Sequence, residues 1–146
     1  MRYLPPFSVF LLIADPTAAT EILPGPIAAT VERVVDGDTL DIKARIWLGQ
    51  DVVIRVRLAG VNAPEKRSKC AAEKDLAEKA AAFITAQTTD GVVLRNIHYG
   101  KWAGRVVAEV EAGDSSLSEG LIATGLGRAY HGGKRRGWCQ NQSSAD

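Results

Sequence analysis

A chain of 146 residues is long enough to bury one substantial core without support from metal or disulfide. Its 46% hydrophobic and 24% charged residues are ordinary globular values and exclude the disordered and fibrous classes. The formal net charge is only +1, so any contact with nucleic acid has to come from local clusters of positive charge and not from the total.

Residues 1–19 carry Arg2 near the start, the short apolar run Phe7 to Ala14, and the small residues Thr17-Ala18-Ala19. That order is expected of a signal peptide, and the run is too short to span a bilayer. Export to the periplasm or medium follows, with no membrane attachment once the segment is cleaved. A simple N-terminal arm is the other reading. Thr20 to Pro26, broken by proline and glycine, reads as a linker.

The domain then runs over residues 27–138. A β-branched strand from Ile27 to Val35 ends at Asp36-Gly37. Leu40, Ile42, Ala44, Ile46 and Leu48 alternate with polar residues as a half-buried strand, and Gly49-Gln50-Asp51 turns the chain. Val52, Ile54, Val56 and Leu58 form the next apolar face, which puts Arg55 and Arg57 together on the other. After Pro64 the period changes. Ser68 is placed to cap a helix from about Lys69 to Gln87, with Ala72, Leu76, Ala80, Phe83 and Ile84 inward and Glu73, Lys74, Glu78 and Lys79 in solvent. Strands at Val92 to His98 and Arg105 to Ala112 form a second hairpin, and Ser116 with Glu119 makes a capping box for a short helix that stops at Gly125. Residues 139–146 read as a tail.

Five strands, a helix between the third and fourth, and a short helix after the fifth predict a mainly β α+β domain. The order matches a five-stranded Greek-key barrel of the OB type.

Cys70 and Cys139 are the only two cysteines, too few and too far apart for a zinc site. In an exported chain they are expected to pair, closing a loop worth about 4 kcal/mol by chain entropy. In the cytosol they would be free thiols.

Phosphodiester hydrolysis needs an anionic phosphate neutralised, a water positioned and the charge of the transition state stabilised. Hard oxygen ligands, a carboxylate base and arginines meet those needs. Asp36, Asp38, Glu65, Arg57 and Arg105 supply them. Each alone also has a bland reading, since Asp-Gly-Asp-Thr makes a good hairpin turn anywhere and strand arginines often face water. The joint spacing is more specific. VVDGDTL, RLAGVNAPE, the Gly104-Arg105 pair and LSEGLIATGLGRAY together resemble the staphylococcal nuclease (thermonuclease) family over about Ala28 to Tyr130.

That resemblance implies an OB-type barrel and a calcium-dependent nuclease acting on DNA or RNA. By likeness, Asp38 is a calcium ligand, Ala63 offers its carbonyl, and Asn62 stands where the family has a second ligand aspartate. Glu65 orients or deprotonates the attacking water, Arg57 and Arg105 clamp the phosphate, and Asp36 shapes the acidic pocket. Lys101-Trp102-Ala103-Gly104-Arg105 lacks the tyrosine the family carries there. The ending resembles exported bacterial relatives in which Cys70 and Cys139 form a disulfide.

Tyr130 is a candidate for base stacking, and the run Lys134, Arg135, Arg136 for contact with the phosphate backbone, or else a solvated tail. Little sequence preference is expected, because nothing reads base edges. The chain is expected to be a monomer. The alternative is a catalytically weakened binding or scaffold module, to which the uncharged Asn62 would lead. An accessory role in exopolysaccharide production, a label some bacterial relatives carry, has no residue in its support.

Overall fold

The computed structural model describes residues 20–139. The expected signal peptide and most of the tail lie outside the described residues. Five long strands make the body: β2 (Ile27–Asp36), β3 (Thr39–Trp47), β4 (Gln50–Leu58), β6 (Val92–Tyr99) and β7 (Arg105–Ala112). They are joined in the order β6-β2-β3-β4-β7, and β6 also pairs with β7, which closes the sheet into a barrel. All these pairings are antiparallel except β4 with β7. The helix α1 (Ala71–Gln87) lies between the third and fourth barrel strands and α2 (Leu117–Ala123) follows the fifth. The predicted OB-type barrel is therefore the observed one.

Four short strands complete the fold: β1 (Ile22–Leu23), β5 (Val61–Asn62), β8 (Ser115–Ser116) and β9 (Arg128–Ala129). Two-residue strands leave no periodicity to read, so the sequence did not announce them. Within the segment read as a linker, β1 pairs with β6 and lengthens the sheet. The β5 and β9 pair matters more for the site, because it fixes Asn62 opposite Arg128.

The core fills from alternating strand positions and from α1. Leu40, Ile42, Val56, Leu58, Ile84 and Leu121 are almost fully buried. Alternation fails toward the β3–β4 turn, where Ile46 and Leu48 are exposed instead of continuing the inward face. The hairpin projects beyond the barrel end there, so its tip has nothing to pack against. On α1 the buried residues are Ala77, Ala80, Ala81 and Ile84, while Ala72 is exposed. Small alanines let the helix lie close to the barrel.

The N-terminus of α1 also departs from expectation. Cys70, not Ser68, is the cap residue, and its side chain makes no capping hydrogen bond. Ser68 lies two residues too early, and its hydroxyl donates to the Glu73 carboxylate. Glu73 was expected in solvent; it turns back to accept the Glu65 N–H as well, at 3.1 Å. In α2 the expected cap holds, with Ser116 accepting from the Glu119 N–H at 3.3 Å. No helix among the described residues is long and apolar enough to cross a membrane.

Candidate active site

The barrel register assembles one end of the sheet. Thr39 on β3 faces Arg57 on β4, and the Leu58 N–H donates to the Asp38 carbonyl at 2.9 Å, so the Asp36–Thr39 turn sits directly beside the end of β4. The parallel neighbour β7 starts at Arg105, opposite Arg55. Antiparallel register on one side and parallel register on the other thus bring the acidic turn and both arginines to the same rim.

Residues 59–65, which leave β4, are pinned almost one by one. The Ala59 N–H donates to Ala108 and its carbonyl accepts from the Ser118 hydroxyl at 2.7 Å. The Gly60 carbonyl accepts from the Tyr130 N–H, the Val61 carbonyl from Arg57 Nη2 at 3.1 Å, and the Ala63 N–H donates to Asp38 Oδ2 at 2.9 Å. A segment anchored this way holds Glu65 in place from its own backbone, as a preorganised site requires.

Asp36, Asp38, Arg57, Glu65, Arg105 and Arg135 line one cavity of about 370 Å³. Arg57 is 9% exposed and Asp38 is 5% exposed, and the guanidinium lies 3.4 Å from the Asp38 carboxylate. Burial pushes the Arg57 guanidinium down from its usual range; Asp38 opposes that shift, and Arg135 and Arg105 add to it. Asp36 is raised above the usual carboxylate range, chiefly by burial, with the Lys66 N–H opposing and the nearby Asp38 adding. Arg105 has a buried Nε without a hydrogen-bond partner. Such a donor normally finds a partner, so its orphaning marks a place where an acceptor would be welcome.

Asn62 and Ala63 line an adjoining cavity of about 180 Å³, which shares Glu65 and Arg135 with the first. Asn62 is 6% exposed. The oxygen donors around the two cavities include the Asp38 carboxylate, the Asn62 amide, the Ala63 carbonyl and the Glu65 carboxylate, with the Asp36 and Glu73 carboxylates beside them, all hard ligands of the kind calcium takes. Asp38 Oδ1 accepts from the Thr39 hydroxyl at 2.9 Å and Oδ2 from the Ala63 N–H at 2.9 Å, so each oxygen, which accepts about two such bonds, has one position taken and one left for a cation. Cys70, Glu73 and Cys139 also bring their ligand atoms together, but the two sulfurs are bonded to each other and offer no thiolate.

Residues 130–139 are not a loose tail. The Tyr130 ring has two guanidiniums over it, Arg57 at 5.6 Å and Arg135 at 5.4 Å, and its hydroxyl donates to the Gly133 carbonyl. Arg135 reaches Glu65 at 3.4 Å. Arg136 lines the smaller cavity, whereas Lys134 lines neither of these two. The Cys70–Cys139 disulfide is formed, with its Cα atoms 6.0 Å apart.

Sequence reasoning missed Arg33, Arg55, Arg67 and Trp102, which also line the larger cavity. Arg55 had been read as the wet face of a strand; its register opposite Asp41 and Arg105 was the available signal. A larger groove of about 490 Å³, lined by Arg45, Asp51 and Asp90 among others, lies elsewhere on the barrel and gathers none of these residues.

A family model described as Staphylococcal nuclease homologue matches residues 55–144. The match takes in Arg57, Asn62, Glu65, Arg105 and the C-terminal basic run, and begins after the acidic turn. A comparison with curated proteins returned no match.

Proposed function

The chain belongs to the staphylococcal nuclease family, and from that membership we propose that it is a calcium-dependent nuclease hydrolysing phosphodiester bonds of DNA or RNA with little sequence preference. The observation that carries the reading is the convergence of Asp38, Arg57, Glu65 and Arg105 on one cavity. A carboxylate base, two guanidiniums and a buried carboxylate serve one purpose when they meet, which is to hold an anion and deliver water to it.

Glu65 accepts the proton of the attacking water, and Arg57 and Arg105 neutralise the phosphate and the charge that builds on its equatorial oxygens. Asp38, Asn62 and the Ala63 carbonyl would hold the calcium ion, which supplies further neutralisation of the phosphate when bound. Asn62 in place of aspartate removes one formal charge from this donor set, so calcium binding is weaker than a second carboxylate would give. Tyr130 and the guanidiniums of the rim contact the flanking strand. Export and a monomeric state complete the proposal.

Cleavage of a fluorogenic DNA substrate, measured in calcium and in chelator, tests it. Activity that needs calcium is expected; a folded protein without activity at any calcium concentration refutes it. One observation favours a second reading. Each Asp38 oxygen already has one acceptor position taken by a protein donor, and with Asn62 uncharged the weakened donor set that remains suits a binding module without a cation. Tight binding of single strands without cleavage would select that reading.

A further inference from the structure

The segment after β9 lacks regular secondary structure, and from His131 to Gly137 its residues are exposed. It nevertheless crosses the site. It is held by the Tyr130 hydroxyl on Gly133, by Arg128 Nη1 donating to the Gly137 carbonyl at 3.0 Å, by the Arg128 guanidinium 3.8 Å from the Trp138 ring, and by the disulfide at its end. The first three are contacts at the surface, and they return less than the entropy lost in ordering an exposed irregular segment. Arg135 itself adds only the exposed contacts with Tyr130 and Glu65, so the covalent tie is the strongest constraint on the segment that carries it.

The anchor end of that tie is itself built into the site. Cys70 caps α1, and one turn on Glu73 receives the Glu65 N–H and the Ser68 hydroxyl. Glu65 is consequently held twice near one disulfide: its backbone by Glu73 and its carboxylate by Arg135 at 3.4 Å. A purely stabilising crosslink would not need to place a guanidinium against the proposed base.

We propose that the Cys70–Cys139 disulfide licenses nucleic-acid binding at this site by holding Arg135 in it. This rests on the nuclease reading for the identity of the ligand, an anionic single strand. Reduction by a dithiol breaks the S–S bond, delivers two electrons and two protons to give two thiols, and leaves the reductant as its own disulfide. The strap then loosens and Arg135 withdraws, so that of the six guanidiniums lining the cavity the one carried by the strap is lost, while Arg33, Arg55, Arg57, Arg67 and Arg105 stay with the barrel and the loop after it. Arg135 is a positioning residue for Glu65 in the free protein and a strand-binding cation in the complex.

The test measures polarisation of a labelled phosphorothioate single-stranded DNA, which resists cleavage, in calcium buffer with oxidised and reduced protein. Reduction, Cys139→Ser and Arg135→Ala are each expected to weaken binding on the order of tenfold, the scale of one charge-assisted contact. Arg135→Lys should recover part of the loss. In Arg135→Ala, reduction should have a much smaller further effect, because the strap's cation in the larger cavity is gone and only Lys134 and Arg136 remain on it. Equal weakening of wild type and Arg135→Ala on reduction would show that the crosslink acts on the fold alone and would overturn the proposal. So would oxidised wild type that fails to bind, or binding indifferent to reductant. Absence of cleavage of an ordinary strand, with redox-dependent binding intact, would instead sink the nuclease reading and leave this one standing.

Discussion

Gly37 looks like a turn glycine chosen for its backbone freedom, yet its φ lies outside the left-handed region. What it lacks is room. A Cβ at this position would stand 2.6 Å from the Ala80 Cβ on α1 and 3.1 Å from the Ala63 Cβ in the loop that carries Glu65. Gly37→Ala therefore overpacks a three-way contact between the acidic turn, the helix and the proline loop, at a cost of about 2 kcal/mol. Ala80→Gly alone should cost a similar amount, about 1 kcal/mol of helix propensity plus roughly 0.8 kcal/mol for a buried methyl. If the clash is the cause, the double variant loses only about 2 kcal/mol, not the sum of about 4 kcal/mol, because removing the Ala80 methyl makes room for the new one. Urea unfolding of the four proteins gives the three differences directly. Additivity to within about 0.5 kcal/mol would refute the packing argument and return Gly37 to a conformational role.

Three further outcomes are expected. Glu65→Gln and Arg105→Ala should each lower cleavage more than about tenfold with the unfolding midpoint retained, since each removes a group acting in the transition state; unchanged rates would remove both from the mechanism. Asn62→Asp should lower the calcium concentration for half-maximal cleavage by restoring a charged ligand, and an unchanged or higher requirement would mean that residue 62 does not face the cation. Asp41 is held down to about 2 from its usual 3.8, first by its hydrogen bonds from Arg55, against burial and with help from Arg33. A depressed carboxylate stabilises the fold above its unfolded value and loses that contribution as pH falls toward its folded one. With the partner arginines well exposed and screened by solvent, the contribution is on the order of 1 kcal/mol. The stability gap between wild type and Asp41→Asn should hold from pH 7 to 5 and shrink from pH 4 toward 2; a gap that stays constant to pH 2 contradicts the assignment.

The barrel was legible because its five long strands alternate and its helix switches period, and both signals come from burial on one face. The site was legible as a set of residues but not as a shape. Asp38, Arg57, Glu65 and Arg105 meet as expected, because two of them lie on paired strands and the others at strand-end turns. Their surroundings depend on pairings no local pattern encodes. The β5–β9 pair buries Asn62 through residues far apart in the chain, and the disulfide carries Arg135 back across the rim. Glu73 shows the same limit on a helix: spacing put it in solvent, but a backbone N–H near the helix start offered a better partner. Ile46 and Leu48 fail in the opposite direction, since their alternation is correct and the barrel simply ends before them.

The register also explains why Arg105 stands apart from its neighbours. Arg33, Asp41, Arg55 and Arg105 occupy matching positions on four successive strands. Asp41 is the one carboxylate in the row, and it accepts from Arg33 at 2.7 Å and from Arg55 at 2.7 Å. Both of those guanidiniums are thereby fixed and half neutralised, which keeps them at the cavity wall. Arg105, the last member, makes no ion pair among the described residues, and its Nε is buried without a partner. Leaving a buried donor unsatisfied costs stability, and a row that carries one carboxylate among three arginines and ends on two neighbouring cations has room for one more anion. A phosphate bound at the rim would occupy that place and satisfy Arg105 without disturbing the Asp41 pairs. The guanidinium left free by the register is thus the one the proposed nuclease reading assigns to the phosphate, and Asp41, which sequence reasoning passed over, holds the other two in place.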